Sequence, residues 1–175
     1  MTTASSDRPA PPVGSRAKWF EDLTPGDRFV TQGRTITETD MVMWSMFTGD
    51  FNPIHVDEDF AAHHSVFGTR VPQGLLAVAV ASGLQERLGI WDGTGRALLA
   101  QTIRFRRPLR LGDTIRAELT VARTAIRDDE LGEVQLDLAV VAAGREAVIV
   151  DGTLDVLVAR RGDADTRRGG PVADR

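Results

Sequence analysis

The 175-residue chain has no cysteine, and that one absence excludes disulfides, thiolate metal sites and a cysteine nucleophile together. No apolar run reaches the roughly 18 residues that a membrane-spanning helix requires. There is no basic block either: 21 Lys and Arg against 25 Asp and Glu leave a net charge of −4, which argues against a nucleic-acid partner. Residues 1–16 lack the apolar stretch of a secretory signal and are rich in Pro, Ser and Thr, as expected of a disordered tail on a cytoplasmic protein. Residues 161–175 turn to Gly, Asp and Arg and read as a second disordered tail. The span 17–160 between them is expected to be one domain. With 42% apolar and 26% charged residues overall, the chain has the make-up of a soluble globular protein with a real core.

The stretch that carries chemistry is Phe47-Thr48-Gly49-Asp50-Phe51-Asn52-Pro53-Ile54-His55-Val56-Asp57. Gly49 relaxes the backbone, and Pro53 removes a donor and fixes its own φ at roughly −65°. Pro53 also pushes Asn52 out of the helical region, so the chain between Asp50 and His55 must turn. Such a turn can bring a carboxylate and an imidazole into one small volume, with Asn52 pinning the loop by bonding its own backbone. An acid and a base held together are what moving a proton to and from carbon requires. A plain solvated turn can contain the same two residues, so spacing alone leaves both readings open.

Around this loop the chain alternates between helix and strand signals. Trp19 to Leu23 reads as a short docking segment before a turn at Thr24-Pro25-Gly26-Asp27, and 28–35 as a first strand. Thr37 and Asp40 form a capping box for a helix over 38–47, which is apolar nearly all round and so expected to be buried on several sides. Asp57 caps a second helix over 58–64, which places Asp57, Glu58 and Asp59 at its positive end. Those carboxylates with His55 suggest a metal site, but the helix start is reason enough for them and no metal is expected. His63 and His64, about 100° apart on a helix, read as surface residues. From Gly74 to Leu84 the residues are small or apolar on every side, the pattern of a helix wrapped by other structure. Gly74 at its start either packs closely or leaves free N–H groups open to an oxyanion.

Residues 90–96 read as a flexible loop, and four strands follow. Leu99, Gln101, Ile103 and Phe105 are assigned to one face of the first, with Thr102, Arg104 and Arg106 on the other. Ile115, Ala117, Leu119 and Val121 line one face of the next, and Val134, Leu136, Leu138 and Val140 one face of the third. Val148, Val150, Leu154, Val156 and Val158 complete the set. Gly112-Asp113 echoes the earlier Gly26-Asp27 turn. Arg104, Arg106 and Arg107 read either as a solvated face or as partners for phosphate, which guanidinium grips in a bidentate fork.

The string Thr48-Gly49-Asp50, Asn52-Pro53, His55 and Asp57, followed by Phe60-Ala61-Ala62, resembles the signature of the MaoC-like dehydratases, the (R)-specific enoyl-CoA hydratases of the hot-dog fold. Phe20-Glu21-Asp22-Leu23, Gly26-Asp27, Thr35-Ile36-Thr37 before Asp40, and Gly74-Leu75-Leu76 match in order and spacing, so the resemblance covers about Trp19 to Arg160. It implies an α+β hot-dog domain, an antiparallel sheet of about five strands around a long apolar helix, with a helical insertion carrying the active loop. It further implies Asp50 and His55 as the catalytic pair, Asn52 and Pro53 as loop-positioning residues, and the Gly74 amide as the holder of the thioester oxygen. Met43, Trp44 and Phe47 become candidates for an acyl pocket, and Arg104 and Arg106 for coenzyme A phosphate contacts. The implied substrate is an acyl-CoA or acyl-carrier thioester, with no cofactor beyond it, and the implied assembly is a homodimer or a multiple of one. Gln73 stands where family members often carry His, a departure that bears on the entrance. A hot-dog thioesterase and an acyl-binding partner subunit of a heteromeric dehydratase are the rival readings.

Overall fold

Apolar residues alternate along β4 (Thr114–Ile126) and β5 (Leu131–Ala142), so each strand sends one row inward. Ile115, Ala117, Leu119 and Val121 come from the first, and Val134, Leu136, Leu138 and Val140 from the second, all buried as their spacing predicts. The computed structural model describes residues 16–162, and these two strands form its centre. Around them lie β1 (Arg28–Val30), β2 (Arg34–Thr35), β3 (Gly95–Phe105) and β6 (Ala147–Ala159). The sheet runs β1-β4-β5-β6-β3 with β2 also on β4, and every pairing is antiparallel. The architecture is the expected α+β one, a sheet five strands wide against one long helix.

Three strand expectations are corrected by local chemistry. The single strand expected over 28–35 is two short ones, because Thr31 sits between them as a private anchor. Its amide donates to the Ala117 carbonyl at 3.0 Å and its hydroxyl accepts from the Ala117 amide at 2.9 Å. In β3, Leu98 pairs with Val156 and Ala100 with Asp155, so Leu99 is the extra residue of a bulge. The face shared with Leu154 and Val156 is therefore Leu98, Gln101, Ile103 and Phe105, without Leu99. A bulge breaks the period of two, and counting alternation cannot reveal it. In β6 a similar shift lets Ile149 reach the core, since Val140 pairs with Val150 but Val141 with Val148.

The helices are α1 (Glu38–Thr48), α2 (Pro53–Val56), α3 (Glu58–His64) and α4 (Gly74–Glu86). α4 presses Leu76, Ala77, Val80, Ala81 and Leu84 into the core against the sheet. It is not wrapped, however: Leu75 is 54% exposed, and Ala79, Ser82 and Gly83 are exposed with it. α1 departs further from expectation, burying only Met41 and Ser45 while Phe47 is 87% exposed. All-round apolarity says that a helix needs cover, but one sheet supplies cover on one side only.

Short connections brace this frame. The Thr24–Asp27 and Arg110–Asp113 turns do echo one another, since in each the Asp carboxylate accepts from the amide three residues back, at 2.8 and 2.9 Å. The loop expected to be flexible over 90–96 is instead stitched down, with Thr94 fully buried and its carbonyl accepting from Ala159 at 2.8 Å. Arg161, where composition suggests a tail begins, pairs with Asp22 at 2.7 Å, and its amide donates to Glu21 at 3.0 Å. The two tails otherwise lie outside the described residues. Among those described, no helix is long and apolar enough to cross a membrane.

Candidate active site

The active loop is built by two helix signals placed back to back. Thr37 and Asp40 close the capping box that starts α1, the Asp40 carboxylate accepting from the Thr37 amide at 2.8 Å. α1 stops at Gly49, whose φ of 75° is left-handed and whose amide donates to Ser45 at 2.8 Å. Asn52 then caps α2, its side-chain oxygen accepting from the Ile54 amide at 3.3 Å, with Pro53 at the first helical position. The sequence anticipates the turn but not this extra helical turn, which sets His55 facing back across the loop. The Asp50 carboxylate meanwhile accepts from the Asn52 amide at 3.3 Å.

Asp50 and His55 meet as the spacing suggests. His55 Nε2 lies 3.8 Å from Asp50 Oδ2, and the imidazole side chain is 11% exposed against 43% for the carboxylate. His55 Nδ1 lies 2.5 Å from the Val71 carbonyl. A carbonyl only accepts, so Nδ1 carries a ring hydrogen, and in the neutral imidazole the lone pair is then on Nε2, on the side of Asp50. The imidazole is thereby poised to take a proton on the side where the carboxylate stands. Val71 also donates its amide to Ile54 at 3.2 Å, so the segment before α4 grips α2 at both ends of one residue.

The pair opens into a cleft of about 470 Å³ between α2, the start of α4 and the end of β3. Trp44, Ile54, Phe67, Leu75, Phe105 and Leu109 make it mostly apolar, and Asp50, His55 and Gln73 supply its polar patch. Gly74 opens α4 at the floor, where its amide has no partner within the helix. The close-packing reading of Gly74 fits the structure, because a Cβ there would stand 2.7 Å from the Phe105 ring. Of the acyl-pocket candidates only Trp44 lines the cleft, while Met43 and Phe47 point out from α1 at 64% and 87% exposure. Arg106 and Arg107 stand at the rim and Arg104 is not among the lining residues. Arg106 is already paired with Asp151 at 2.8 Å.

The acidic cluster after His55 is occupied structurally. Asp57 caps α3 through the Phe60 amide at 2.9 Å, and Asp59 reaches the exposed His63 at 3.4 Å. Glu58 bonds Thr69 at 2.7 Å and Arg70 at 3.0 Å, which hold its carboxyl below the usual carboxylate value. Arg70 also reaches Glu38 at 2.9 Å, tying the start of α1 to α3. Among the described residues, no three His, Asp or Glu side chains converge as a metal site. Residues that sequence reasoning misses are Val71, Phe67 and Phe105. Val71 acts through its backbone, which leaves no mark in residue type, and the aromatic rings join the cleft only through tertiary packing.

This arrangement, an antiparallel sheet against one long helix with a helical insertion before it, is the hot-dog fold. A Mycobacterium tuberculosis protein described as a double hot-dog shares it, with a TM-score of 0.71 at 22% identity over 91% of this chain and 52% of that one. The MaoC-like domain profile matches residues 21–142, and the chain belongs to that family. It is 34% identical over 151 residues to a 3-hydroxybutyryl-CoA dehydratase of Methylorubrum extorquens, covering 86% of this chain and 90% of that one. To an (R)-specific enoyl-CoA hydratase of Rhodospirillum rubrum it is 33% identical, over 82% and 94% of the two chains. It is also 36% identical over 114 residues to Protein MaoC of Klebsiella aerogenes, of whose length the match spans only 32%. The chain is accordingly an enzyme of the hydratase/dehydratase kind, a hydro-lyase.

Proposed function

We propose that this protein adds water reversibly to a trans-2-enoyl thioester, an enoyl-CoA, to give the (R)-3-hydroxyacyl thioester. The observation that carries the reading is the oriented pair, with His55 Nε2 3.8 Å from the Asp50 carboxylate beside an apolar cleft. A water hydrogen-bonded at about 2.8 Å to each group would sit off the line between them at an angle of about 85°, so one water can donate to both. Its oxygen adds to C3 as one proton passes to His55 Nε2, Asp50 holding the second hydrogen. The electron pair moves onto the thioester oxygen, which the Gly74 amide and the positive end of α4 stabilise. The imidazolium then returns a proton to C2, and the atoms of water are all accounted for. The Val71 carbonyl steadies the ring throughout by accepting from Nδ1.

The apolar walls suit an acyl chain, and Arg106 and Arg107 at the rim suit coenzyme A phosphates, although Arg106 must share its charge with Asp151. A homodimer fits the uncovered surfaces: among the described residues β3 is an edge strand carrying Leu98 and Leu99, 57% and 44% exposed, beside the open face of α4.

The test uses a short enoyl-CoA and two readouts. The conjugated-thioester absorbance is expected to fall while no free CoA thiol appears; the protein contributes no thiol of its own. Thiol released at the rate of absorbance loss would make it a thioesterase instead. Neither signal, across short and long chains, would favour a binding subunit.

A further inference from the structure

Four consecutive residues serve as the reference for every part of the proposed site. Val71 holds His55 through its carbonyl, Gly74 offers its amide at the start of α4, and Gln73 reaches Asp50. The Gln73 side chain, 3% exposed, donates from Nε2 to Ser45 Oγ at 2.8 Å and to the Asp50 carbonyl at 3.4 Å. The second bond is the longer of the two. It also settles which way the amide points, since a carbonyl cannot donate and a flipped amide would set oxygen against oxygen.

The loop around Asp50 is otherwise tied to itself. Asp50 bonds Thr48, Phe51 bonds Gly49, and Asn52 bonds Asp50, all within five residues. The Gln73 bond leads out of that loop to α4. Its other end is not satisfied: Gln73 Oε1 is the buried side-chain atom without a hydrogen-bond partner among the described residues. A buried acceptor left unpaired works against folding, so stability does not explain why an amide stands here.

We infer that Gln73 is a positioning residue for catalysis: it locks the Asp50 main chain to α1 and α4, keeping the carboxylate opposite His55 at a cost in stability. This rests on the hydratase reading above. Gln73 lines the cleft with Asp50 and His55, but its hold on the reaction passes through Asp50.

The test compares wild type with Gln73→Met, which keeps length and removes both ends of the amide, in the absorbance assay and in thermal melting. The expected result is a kcat lower by about 10- to 100-fold, the scale of a catalytic group displaced by about an ångström. KM should stay within about 2-fold and Tm within a few degrees, because one orphaned acceptor vanishes as the Ser45 and Asp50 oxygens lose a donor. In an Asp50→Asn background the same substitution should change kcat by less than about 2-fold, since its route is already cut. General damage to the cleft would instead lower both backgrounds alike, and overturns the assignment. So does a Gln73→Met enzyme that turns over like wild type.

Gln73→Glu gives a second reading in a side chain of the same shape. Protonated, its hydroxyl can donate to the Asp50 carbonyl as the amide does; ionised, it cannot. Its kcat relative to wild type at the same pH should rise as pH falls, and a flat ratio overturns the tether. A wild-type protein that leaves enoyl-CoA unchanged removes the hydratase reading itself, whereas a hydrating wild type matched by Gln73→Met removes only this inference.

Discussion

Asp50→Asn and His55→Gln each keep size, but the first removes the carboxylate charge that holds the water's second hydrogen and the second removes the ring nitrogen that takes and returns its proton. General acid–base help is worth about 10²–10⁴-fold, which is about 2.7–5.4 kcal/mol of transition-state stabilisation. If the two residues acted independently, the double variant would lose the product, about 10⁴–10⁸-fold. The geometry argues otherwise. With His55 Nε2 3.8 Å from Asp50 Oδ2, a single water touches both, and losing either partner already spoils the step that both serve. The double variant is therefore expected to be about as slow as the slower single one, as happens when catalytic groups work as a unit. Initial rates of absorbance loss at saturating enoyl-CoA measure this, with melting curves run alongside. The fold should survive, because Gly49, Asn52 and Pro53, which shape the loop, are untouched. Near-normal turnover in either single variant would refute the pairing, as would losses that multiply.

Two further outcomes follow from the same geometry. Gly74→Ala puts a Cβ 2.7 Å from the ring of Phe105, a half-exposed side chain on the edge strand that can swing aside. Overpacking of this kind costs about 1–3 kcal/mol, so Tm should fall modestly and KM for enoyl-CoA rise, with Phe105→Ala in the same chain restoring Tm. Glu58 has its carboxyl held below the ordinary glutamate value of 4.5 by Thr69 first and Arg70 next. A depressed carboxyl contributes stability that is present above its unfolded pKa and lost as pH falls through the folded one. Tm should therefore drop more steeply below pH 4.5 in wild type than in Glu58→Gln, and equal slopes would show that the Glu58 bonds do not matter.

Local signals in the chain determined a good deal. Thr37 with Asp40, Asn52 with Pro53, and Asp57 mark three helix starts through side chains that bond the next few amides. Alternation along 114–121 and 134–140 placed the two central rows of the core, because the pleat assigns faces by parity. The Asp50–His55 pairing was legible for the same reason: Gly49 and Pro53 constrain the backbone within a few residues.

What only the tertiary structure decided depends on contacts between distant segments, or on breaks in a period. The bulges at Leu99 and Ile149 shift parity without any distinctive residue. The exposed faces of α1 and α4 show apolarity without its cover, since a helix pattern records what a surface needs and not what meets it. The histidine tautomer depends on a carbonyl at Val71, sixteen residues away in the chain. Gln73, a polar residue beside a glycine in the sequence, becomes the tether of Asp50 only when the fold carries it 23 residues back to the loop. Hydrogen bonds to backbone atoms do not depend on the acceptor's residue type, so the chain cannot announce them in advance.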